Sequence, residues 1–156
     1  MHKNLHGSNK QRGVALVELA LIMPLLLLLT LITTEFGRAI YEYHVLVKSV
    51  RDGARYLSVQ PPNTHVTEAR NLMVFGNTAG TGAPLVSGLT LANNVPAASC
   101  CTWQQTGTAP IFTTVTVRIS GYRFLPMITN MFGQTFGDAN GGLSYPTISA
   151  TMRAPT

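Results

Sequence analysis

One carboxylate lies inside a long apolar stretch of this 156-residue chain. Glu18 is the only ionisable residue between Val14 and Thr34, and an ionised side chain inside a bilayer costs about 2–3 kcal/mol or more unless it is paired. Cleavage after the preceding Gly13 would give Val14 a charged α-amine one helical turn from Glu18. Opposite charges attract strongly in a low dielectric, so this pair could fix the register between neighbouring helices. The alternative is that Glu18 reaches headgroups and water near the interface.

The other reactive side chains form no catalytic or metal-binding pattern. The histidines lie apart, without HExxH or CxxC spacing. Only three acidic residues follow residue 50, namely Asp52, Glu68 and Asp138, which argues against a hydrolase with paired carboxylates. No GxSxG motif and no nucleophile with a nearby base stands out. We therefore expect no enzymatic activity, no metal site and no cofactor.

The composition argues against a soluble cytoplasmic protein. Hydrophobic residues make up 46% of the sequence and charged residues 11%, whereas an average soluble protein is about 25% charged. The formal net charge is +5, but the lysines and arginines are scattered and do not form the single basic stripe typical of nucleic-acid binding. We therefore expect no nucleic-acid partner.

The apolar stretch is long enough to cross a membrane. It reads VALVELALIMPLLLLLTLITT from Val14 to Thr34, and about 20 predominantly apolar residues span a bilayer as a helix. Lys3, Lys10 and Arg12 precede it without an acidic residue, which places the N-terminus on the cytoplasmic side. The run is longer than a secretory signal and lacks an A-x-A-like cleavage site. The sequence predicts one crossing, with the residues after about 35 extracytoplasmic.

The helix is predicted to continue beyond the membrane, so that it covers residues 14–58. Apolar residues recur at helical steps of three and four, at Phe36, Ile40, Tyr43, Val47, Val50, Ala54 and Leu57. Pro61 and Pro62 end the helix, because a residue before proline is pushed out of the α region. Pro24 indicates either a bend that serves packing in a filament or a proline tolerated in a membrane helix. Gly53 indicates close approach by the C-terminal domain, which offsets its helix cost of about 1 kcal/mol.

The residues that follow are expected to form a small extracytoplasmic α+β domain. Val66–Phe75 has one apolar helical face, which predicts a short helix. Thr114–Ser120 and Thr147–Arg153 alternate apolar and polar residues, which predicts two strands. These strands can pair antiparallel and pack on the apolar stripe of the long helix. The predicted organisation is a leader over residues 1–13, a transmembrane and stalk helix over 14–58 and an antiparallel β-sheet domain over 59–156.

Two adjacent cysteines, Cys100 and Cys101, lie in this domain. An oxidising compartment favours disulfides, but a trans peptide holds neighbouring Cα atoms about 3.8 Å apart, below the usual disulfide range of about 4.4–6.8 Å. Three arrangements stay open: a strained bond between the two, bridges between chains, or two buried thiols. We expect a disulfide of some kind.

Several motifs of the first 58 residues resemble a known family. Gly13-Val14-Ala15-Leu16-Val17-Glu18 resembles the processing site of type IV pilins and pseudopilins, with glycine before the cut and glutamate at the fifth mature position. The sequence is further similar to the N-terminal region of TadE-like proteins, minor pseudopilins of the tight-adherence (Tad, Flp-type) pilus. The motifs that carry this similarity are Glu18-Leu19-Ala20-Leu21, Met23-Pro24-Leu25, Glu35-Phe36-Gly37-Arg38 and Arg51-Asp52-Gly53-Ala54-Arg55-Tyr56.

The resemblance implies a structural role. A prepilin peptidase of the inner membrane would remove residues 1–13, and Val14 and Glu18 would then dock against other pilin or pseudopilin subunits. The protein would assist assembly of a Tad-type adhesion pilus. The alternative is an uncleaved single-pass surface protein whose outer domain binds a ligand or partner by itself. The N-terminal residue of the membrane form distinguishes the two hypotheses.

Overall fold

The computed structural model describes residues 8–127, 129–131, 134–135, 137–138 and 141–154. Within these ranges the elements are α1 (Ser8–Leu57), α2 (Val66–Phe75), β1 (Cys101–Thr106), β2 (Phe112–Ile119), β3 (Arg123–Phe124), β4 (Asn130–Met131), β5 (Gln134–Thr135), β6 (Leu143–Ser144) and β7 (Ile148–Ala154). The chain divides into an N-terminal unit that ends at Arg38 and a C-terminal unit that begins at Ala39. The predicted α+β fold class is confirmed.

Helix α1 is longer at its start than the sequence predicts. It begins at Ser8 rather than at residue 14 and ends at Leu57, one residue before the predicted end. Among the described residues it is the one helix long and apolar enough to cross a membrane. Its most apolar window has a mean hydropathy of 2.6, and none of that window is buried. Pro61 and Pro62 follow the helix and cannot supply the N–H groups of another turn.

A three-stranded antiparallel sheet lies at the centre of the C-terminal unit. Its strand order is β1-β2-β7, and β2 pairs with β7 from Thr113 opposite Ala154 to Ile119 opposite Ile148. The two predicted strands are therefore confirmed as antiparallel neighbours, with bounds shifted by one or two residues. β1 is not predicted from the sequence, because its CTWQQT run shows no clear apolar alternation.

The buried face of β2 packs with the C-terminal part of α1 in one hydrophobic core. Val115, Val117 and Ile119 are at most 1% exposed, and they share one face because side chains alternate along a strand. The fully buried apolar residues of α1 lie at helical steps of four and three, at Leu46, Val50, Ala54 and Leu57. The C-terminal unit is thus built on the last three turns of α1.

The predicted apolar stripe of α1 is correct only toward its C-terminal end. Its last three members are buried, whereas Phe36, Ile40 and Tyr43 are 67%, 43% and 40% exposed. Leu46, which the stripe does not include, is completely buried. Periodicity identifies an apolar face of a helix but not the length over which other elements cover it. The prediction that the sheet packs along the whole stripe from residue 36 to 57 is therefore wrong for its first half.

Helix α2 has the predicted bounds and organises the long loop that follows it. It ends at Phe75 and is capped by Gly76, which adopts a left-handed conformation with φ 74° and donates its N–H to the Leu72 carbonyl at 2.9 Å. Arg70 donates from Nε to the Val95 carbonyl at 2.6 Å and from Nη2 to the Leu91 carbonyl at 3.1 Å. One arginine therefore fixes two points of the loop against α2.

Two short hairpins lie between β2 and β7. β3 pairs with β6 and β4 pairs with β5, both antiparallel, so the second pair lies within the chain segment that joins the strands of the first. Each of these strands has two residues, which is too short for alternation to show in a sequence. Within the segment that joins β2 to β7, Arg123 Nη2 of β3 contacts Asp138 Oδ1, which lies between β5 and β6, at 2.6 Å.

Candidate functional site

The residues predicted to act in processing and docking lie on one face of α1. Gly13, Val14, Val17, Glu18 and Leu21 together line a shallow groove, as expected for positions one turn apart on a helix. All five are exposed. The helix runs without a break across the Gly13–Val14 bond, and a Cβ added at Gly13 would meet nothing within 4 Å. The structure therefore brings the predicted site residues together on one open surface.

Glu18 differs from the other polar groups of the apolar stretch. The hydroxyls of Thr30, Thr33 and Thr34 donate to the carbonyls of Leu27, Leu29 and Thr30, each at 2.8 Å, so the helix itself satisfies them. Within the part of the chain that the structure describes, the Glu18 carboxylate has no hydrogen-bond or ion-pair partner. Because Glu18 is exposed, solvent, lipid headgroups or another chain can reach this carboxylate.

The apolar side chains around Glu18 are also exposed. From Val14 to Ile32 the large hydrophobic residues that α1 exposes range from 41% to 76% exposure. A soluble monomer rarely shows a contiguous apolar patch beyond a few hundred Å². Lipid or the helices of other subunits are the environments that suit this surface.

Pro24 interrupts the backbone hydrogen bonds in the middle of this surface. It lies inside α1, and a proline lacks the N–H that would bond the carbonyl four residues earlier, here that of Ala20. The open carbonyl can take a donor from a neighbouring helix, as transmembrane prolines allow. The helix continues through Pro24 in this structure, and a functional bend at this residue stays a prediction.

Two tyrosines of α1 lie just after its apolar run. Tyr41 is 68% exposed and Tyr43 is 40% exposed, and tyrosine is enriched where a membrane meets water. In the N-terminal unit, Arg38 Nη2 donates to Glu35 Oε2 at 3.0 Å. This short polar and aromatic segment is typical of the exit of a helix from a bilayer.

An aromatic cluster fastens the C-terminal unit to the start of its own helical segment. The Tyr145 hydroxyl donates to the Ala39 carbonyl at 2.7 Å, and the Tyr43 and Tyr145 ring centroids lie 5.7 Å apart, edge to face. Phe124 stacks parallel to Tyr145 with a centroid distance of 6.5 Å. The base of the β3–β6 hairpin is therefore held against residues 39–43 of α1.

A buried tyrosine adds a second fastening. Tyr122 is 2% exposed, and its hydroxyl oxygen lies 2.7 Å from Glu42 Oε2 and 2.9 Å from the Ser87 carbonyl. One hydroxyl has a single proton, and the charged carboxylate is the stronger acceptor. Sequence reasoning missed this contact, since Glu42 and Tyr122 lie 80 residues apart and neither belongs to a motif.

Gly53 lies where side chains of α2 and β2 pack against α1. A Cβ built on it would meet Met73 Cγ at 2.7 Å, Met73 Sδ at 2.9 Å and Val117 Cγ1 at 3.6 Å. Met73 is completely buried. A residue without a side chain at position 53 thus lets α2 and β2 reach the helix.

The structure joins Cys100 and Cys101 in a disulfide between neighbouring residues, with a Cα–Cα distance of 3.8 Å. Both cysteines of the sequence are in this bond. Cys100 is 1% exposed and its carbonyl accepts the Arg118 N–H at 2.8 Å, which holds the bond at the start of β1. The bond therefore belongs to the core and not to an open reactive surface.

The described ranges contain no group of three or more His, Cys, Asp or Glu residues that could hold a metal ion. The features on which function can depend are instead the open face around Glu18, the apolar surface of α1 and the unit built on its end. These features define a protein with one N-terminal helix that is long and apolar enough to cross a membrane and with a small α+β domain.

The comparison with known families finds one match, which lies within α1. Residues 13–55 match the family model described as TadE-like protein, so the resemblance inferred from the motifs is confirmed over slightly more than a quarter of the chain. The chain therefore carries a TadE-like region, and the TadE-like family is a structural, membrane-associated family of the Tad pilus. The match starts at Gly13, next to Val14, and ends within the part of α1 that the core buries. No curated protein and no solved structure significantly matches the chain.

Proposed function

We propose that this chain is a minor pseudopilin that a prepilin peptidase cuts between Gly13 and Val14 and that then takes part in assembly of a Tad-type adhesion pilus. The observation that carries the proposal is Glu18, a carboxylate that pairs with no other described residue and lies on an exposed apolar face of a TadE-like helix. In an uncleaved anchor, this carboxylate depends on headgroups and water near the interface. Processing supplies a cation, the Val14 α-amine, that can pair with it.

Processing is the hydrolysis of one peptide bond. Water adds to the Gly13 carbonyl, Gly13 becomes a carboxylate at the end of the released leader, and Val14 keeps the amino group, which is protonated at neutral pH. The bond lies within a continuous helix. Glycine weakens a helix by about 1 kcal/mol relative to alanine, so Gly13 favours local opening of the helix at the bond that must be cut.

The new charge offsets the cost of keeping Glu18 in an apolar surrounding. Two unit charges 4 Å apart attract by about 4 kcal/mol at an effective dielectric constant of about 20. This is comparable with the cost of about 2–3 kcal/mol or more that an unpaired carboxylate has in a membrane helix. Val14 and Glu18 of one helix lie one turn apart, so a staggered neighbouring helix can bring its Val14 amine to Glu18 and fix the axial register of the two subunits.

The orientation follows from the charges before the helix. Lys3, Lys10 and Arg12 precede the apolar stretch without an acidic residue, and positive residues favour the cytoplasmic side. The C-terminal unit is then extracytoplasmic, where a disulfide between Cys100 and Cys101 is stable. Other pilin or pseudopilin subunits and the peptidase are the partners that this arrangement requires.

N-terminal sequencing of the membrane-bound chain tests the processing step. In cells that contain a prepilin peptidase, we expect the mature chain to start at Val14. An intact leader in such cells contradicts the proposal and favours the alternative, an uncleaved surface protein whose outer domain binds a partner by itself. Cells that lack the peptidase provide the control, in which the leader must be retained.

Substitution of Glu18 tests the docking step. Glu18→Ala and Glu18→Gln remove the charge, and we expect membrane insertion to stay intact while pilus formation is lost. Thr30→Ala is the matched control, because Thr30 lies in the same apolar stretch but its hydroxyl bonds within the helix. Normal piliation in both Glu18 variants contradicts a docking role for this carboxylate.

A further inference from the structure

Three cations form a line along the part of α1 that belongs to the C-terminal unit. Lys48, Arg51 and Arg55 follow one another at steps of three and four residues, and all three are exposed. At about 100° per residue, they lie within an arc of about 60° and over a length of about 10 Å. We call these three residues the basic stripe.

The basic stripe lies on the side of α1 that faces away from the core. Leu46, Val50 and Leu57 are at most 1% exposed, and each is turned by at least about 100° around the helix from every residue of the stripe. The core therefore holds this helical segment from one side and leaves the basic stripe open on the other.

The cations of the basic stripe have no ion-pair partner among the residues that the structure describes. Asp52 is exposed next to Arg51 and four residues after Lys48, but it forms an ion pair with neither of them. By contrast, Arg70 donates to two backbone carbonyls and Arg123 is paired with a carboxylate. The stripe is thus a row of charges that the C-terminal unit itself does not use.

Several kinds of occupant do not suit the basic stripe. A basic helix binds a membrane surface by inserting its apolar face, and here the core covers that face. Three cations over about 10 Å are few for a polyanion, since a nucleic-acid-binding protein commonly makes about 6–10 phosphate contacts. A second copy would bring the same cations opposite one another, and like charges repel. The stripe therefore fits a different chain that carries carboxylates.

The spacing of the basic stripe favours a helix as the form of that chain. Side chains on one face of a helix recur at steps of three and four residues, so three carboxylates can lie opposite the three cations at once when two helices pack side by side. On one face of an extended strand, side chains recur about every 6.8 Å. That interval does not match the axial steps of about 4.5 and 6 Å in the stripe.

From these observations we propose that the basic stripe docks the acidic face of an α-helix from a different subunit, in which Asp or Glu residues recur at steps of three and four. Lys48, Arg51 and Arg55 each meet one carboxylate of that helix. The charges then disfavour contact between two copies through this face and select a partner of opposite charge. That the partner is a pilus subunit rests on the proposed function, whereas the affinity for an acidic helix does not.

Binding of a designed peptide to the full chain tests the proposal. The aligned peptide is an alanine-based helix of about 20 residues, long enough to be helical in water, with three glutamates at steps of three and four and a neutral fluorophore. The isomer peptide has the same composition, but its glutamates are five residues apart and therefore lie on three sides of the helix. Fluorescence anisotropy at low salt in micelles of dodecyl maltoside, a neutral detergent, measures both affinities.

We expect the aligned peptide to bind about 2- to 25-fold more tightly than the isomer, because it makes two more exposed ion pairs and each contributes a factor of about 1.4 to 5. Arg51→Gln is expected to weaken the aligned peptide by up to about fivefold. Arg153→Gln is the matched control, because it removes the same charge from an exposed arginine of β7, and it should leave the affinity unchanged. Equal affinities of the two peptides, or equal losses in the two variants, overturn the proposal, because net charge alone then explains the binding.

A charge swap tests the individual pairing. Arg51 is the middle residue of the basic stripe, so it meets the middle glutamate of the aligned peptide in either orientation. Arg51→Glu is expected to lose the aligned peptide and to regain binding when that glutamate is replaced by lysine, and failure to regain it overturns the pairing. Heparin that binds more tightly than the aligned peptide, with an affinity that Arg51→Gln removes, assigns the stripe to a polyanion instead. Self-association of the chain that Arg51→Gln abolishes assigns it to a second copy, and either result overturns the proposal.

The outcome can be separated from that of the processing and docking experiments. A chain that retains its leader but distinguishes the two peptides contradicts the pseudopilin proposal and supports the docking of an acidic helix. Conversely, a chain that starts at Val14 and binds both peptides equally supports processing and overturns the role of the basic stripe.

Discussion

The contact between Gly53 and Met73 leads to a quantitative prediction. A Cβ at position 53 would lie 2.7 Å from Met73 Cγ and 2.9 Å from its Sδ, whereas nonbonded carbon atoms prefer about 3.5–4.0 Å. Met73 must therefore move by about 1 Å if residue 53 becomes alanine, and it is fully enclosed, with 0% exposure. Overpacking of this kind costs about 1–3 kcal/mol, against a gain of about 1 kcal/mol in helix propensity.

We expect Gly53→Ala to lower the free energy of unfolding of the C-terminal unit by up to about 2 kcal/mol. At about 4 °C per kcal/mol, the lower end of the range for a domain near 100 residues, this reduces its melting temperature by up to about 8 °C. Circular dichroism of the full chain in detergent micelles measures the transition. Gly37→Ala is the matched control in the same helix, because a Cβ at Gly37 meets nothing within 4 Å, and it is expected to be neutral or slightly stabilising.

A double-mutant cycle with Met73→Ala isolates the contact. Met73→Ala alone costs about 2–5 kcal/mol, since it leaves a cavity. It also removes the atoms that collide with the new Cβ, so in this background Gly53→Ala is expected to stabilise by its helix propensity. The coupling energy is then about 1–3 kcal/mol. Additive effects within about 0.5 kcal/mol, or a melting temperature of Gly53→Ala as high as that of Gly37→Ala, would refute the packing argument.

Two further predictions concern the fastening of the C-terminal unit and its disulfide. Tyr122→Phe removes the hydroxyl that serves the half-buried Glu42 carboxylate, so we expect a loss of about 1–3 kcal/mol in unfolding free energy, measured by denaturant titration; an unchanged midpoint contradicts it. Thiol labelling of the unreduced, denatured chain is expected to modify neither Cys100 nor Cys101, and a covalent dimer that reductant dissolves would contradict the bond between neighbouring cysteines.

The sequence predicts those parts of the fold that depend on periodicity. The 3.6-residue pattern of Val66–Phe75 and the twofold alternation of the strands near 114–120 and 147–153 correspond to α2, β2 and β7. The same reasoning could not find Leu46 as a core residue or show that Phe36 stays open, because burial depends on where other elements pack and not on the helix itself.

Some residues of the candidate site can be recognised from the sequence, and others only from the tertiary structure. Glu18 and Gly13 are recognisable because their types conflict with the apolar or helical surroundings, and such conflict is visible in the sequence alone. The fastening of Tyr122 to Glu42 is not visible, since each residue suits its local element and only the tertiary structure joins them. The two-residue strands β3 to β6 are likewise too short to carry a pattern.

The position of the TadE-like match explains how one helix can serve two environments. The matched residues 13–55 include both the open apolar run and the residues Leu46, Val50 and Ala54, which the C-terminal unit buries completely. The stripe formed by Leu46, Val50 and Ala54 would expose apolar surface to water if no folded unit covered it. This part of the helix therefore requires the C-terminal unit. The segment 39–43, to which Tyr145 and Tyr122 bind, comes before the buried stripe. These tyrosines therefore hold the first helical residues of the C-terminal unit to its folded part.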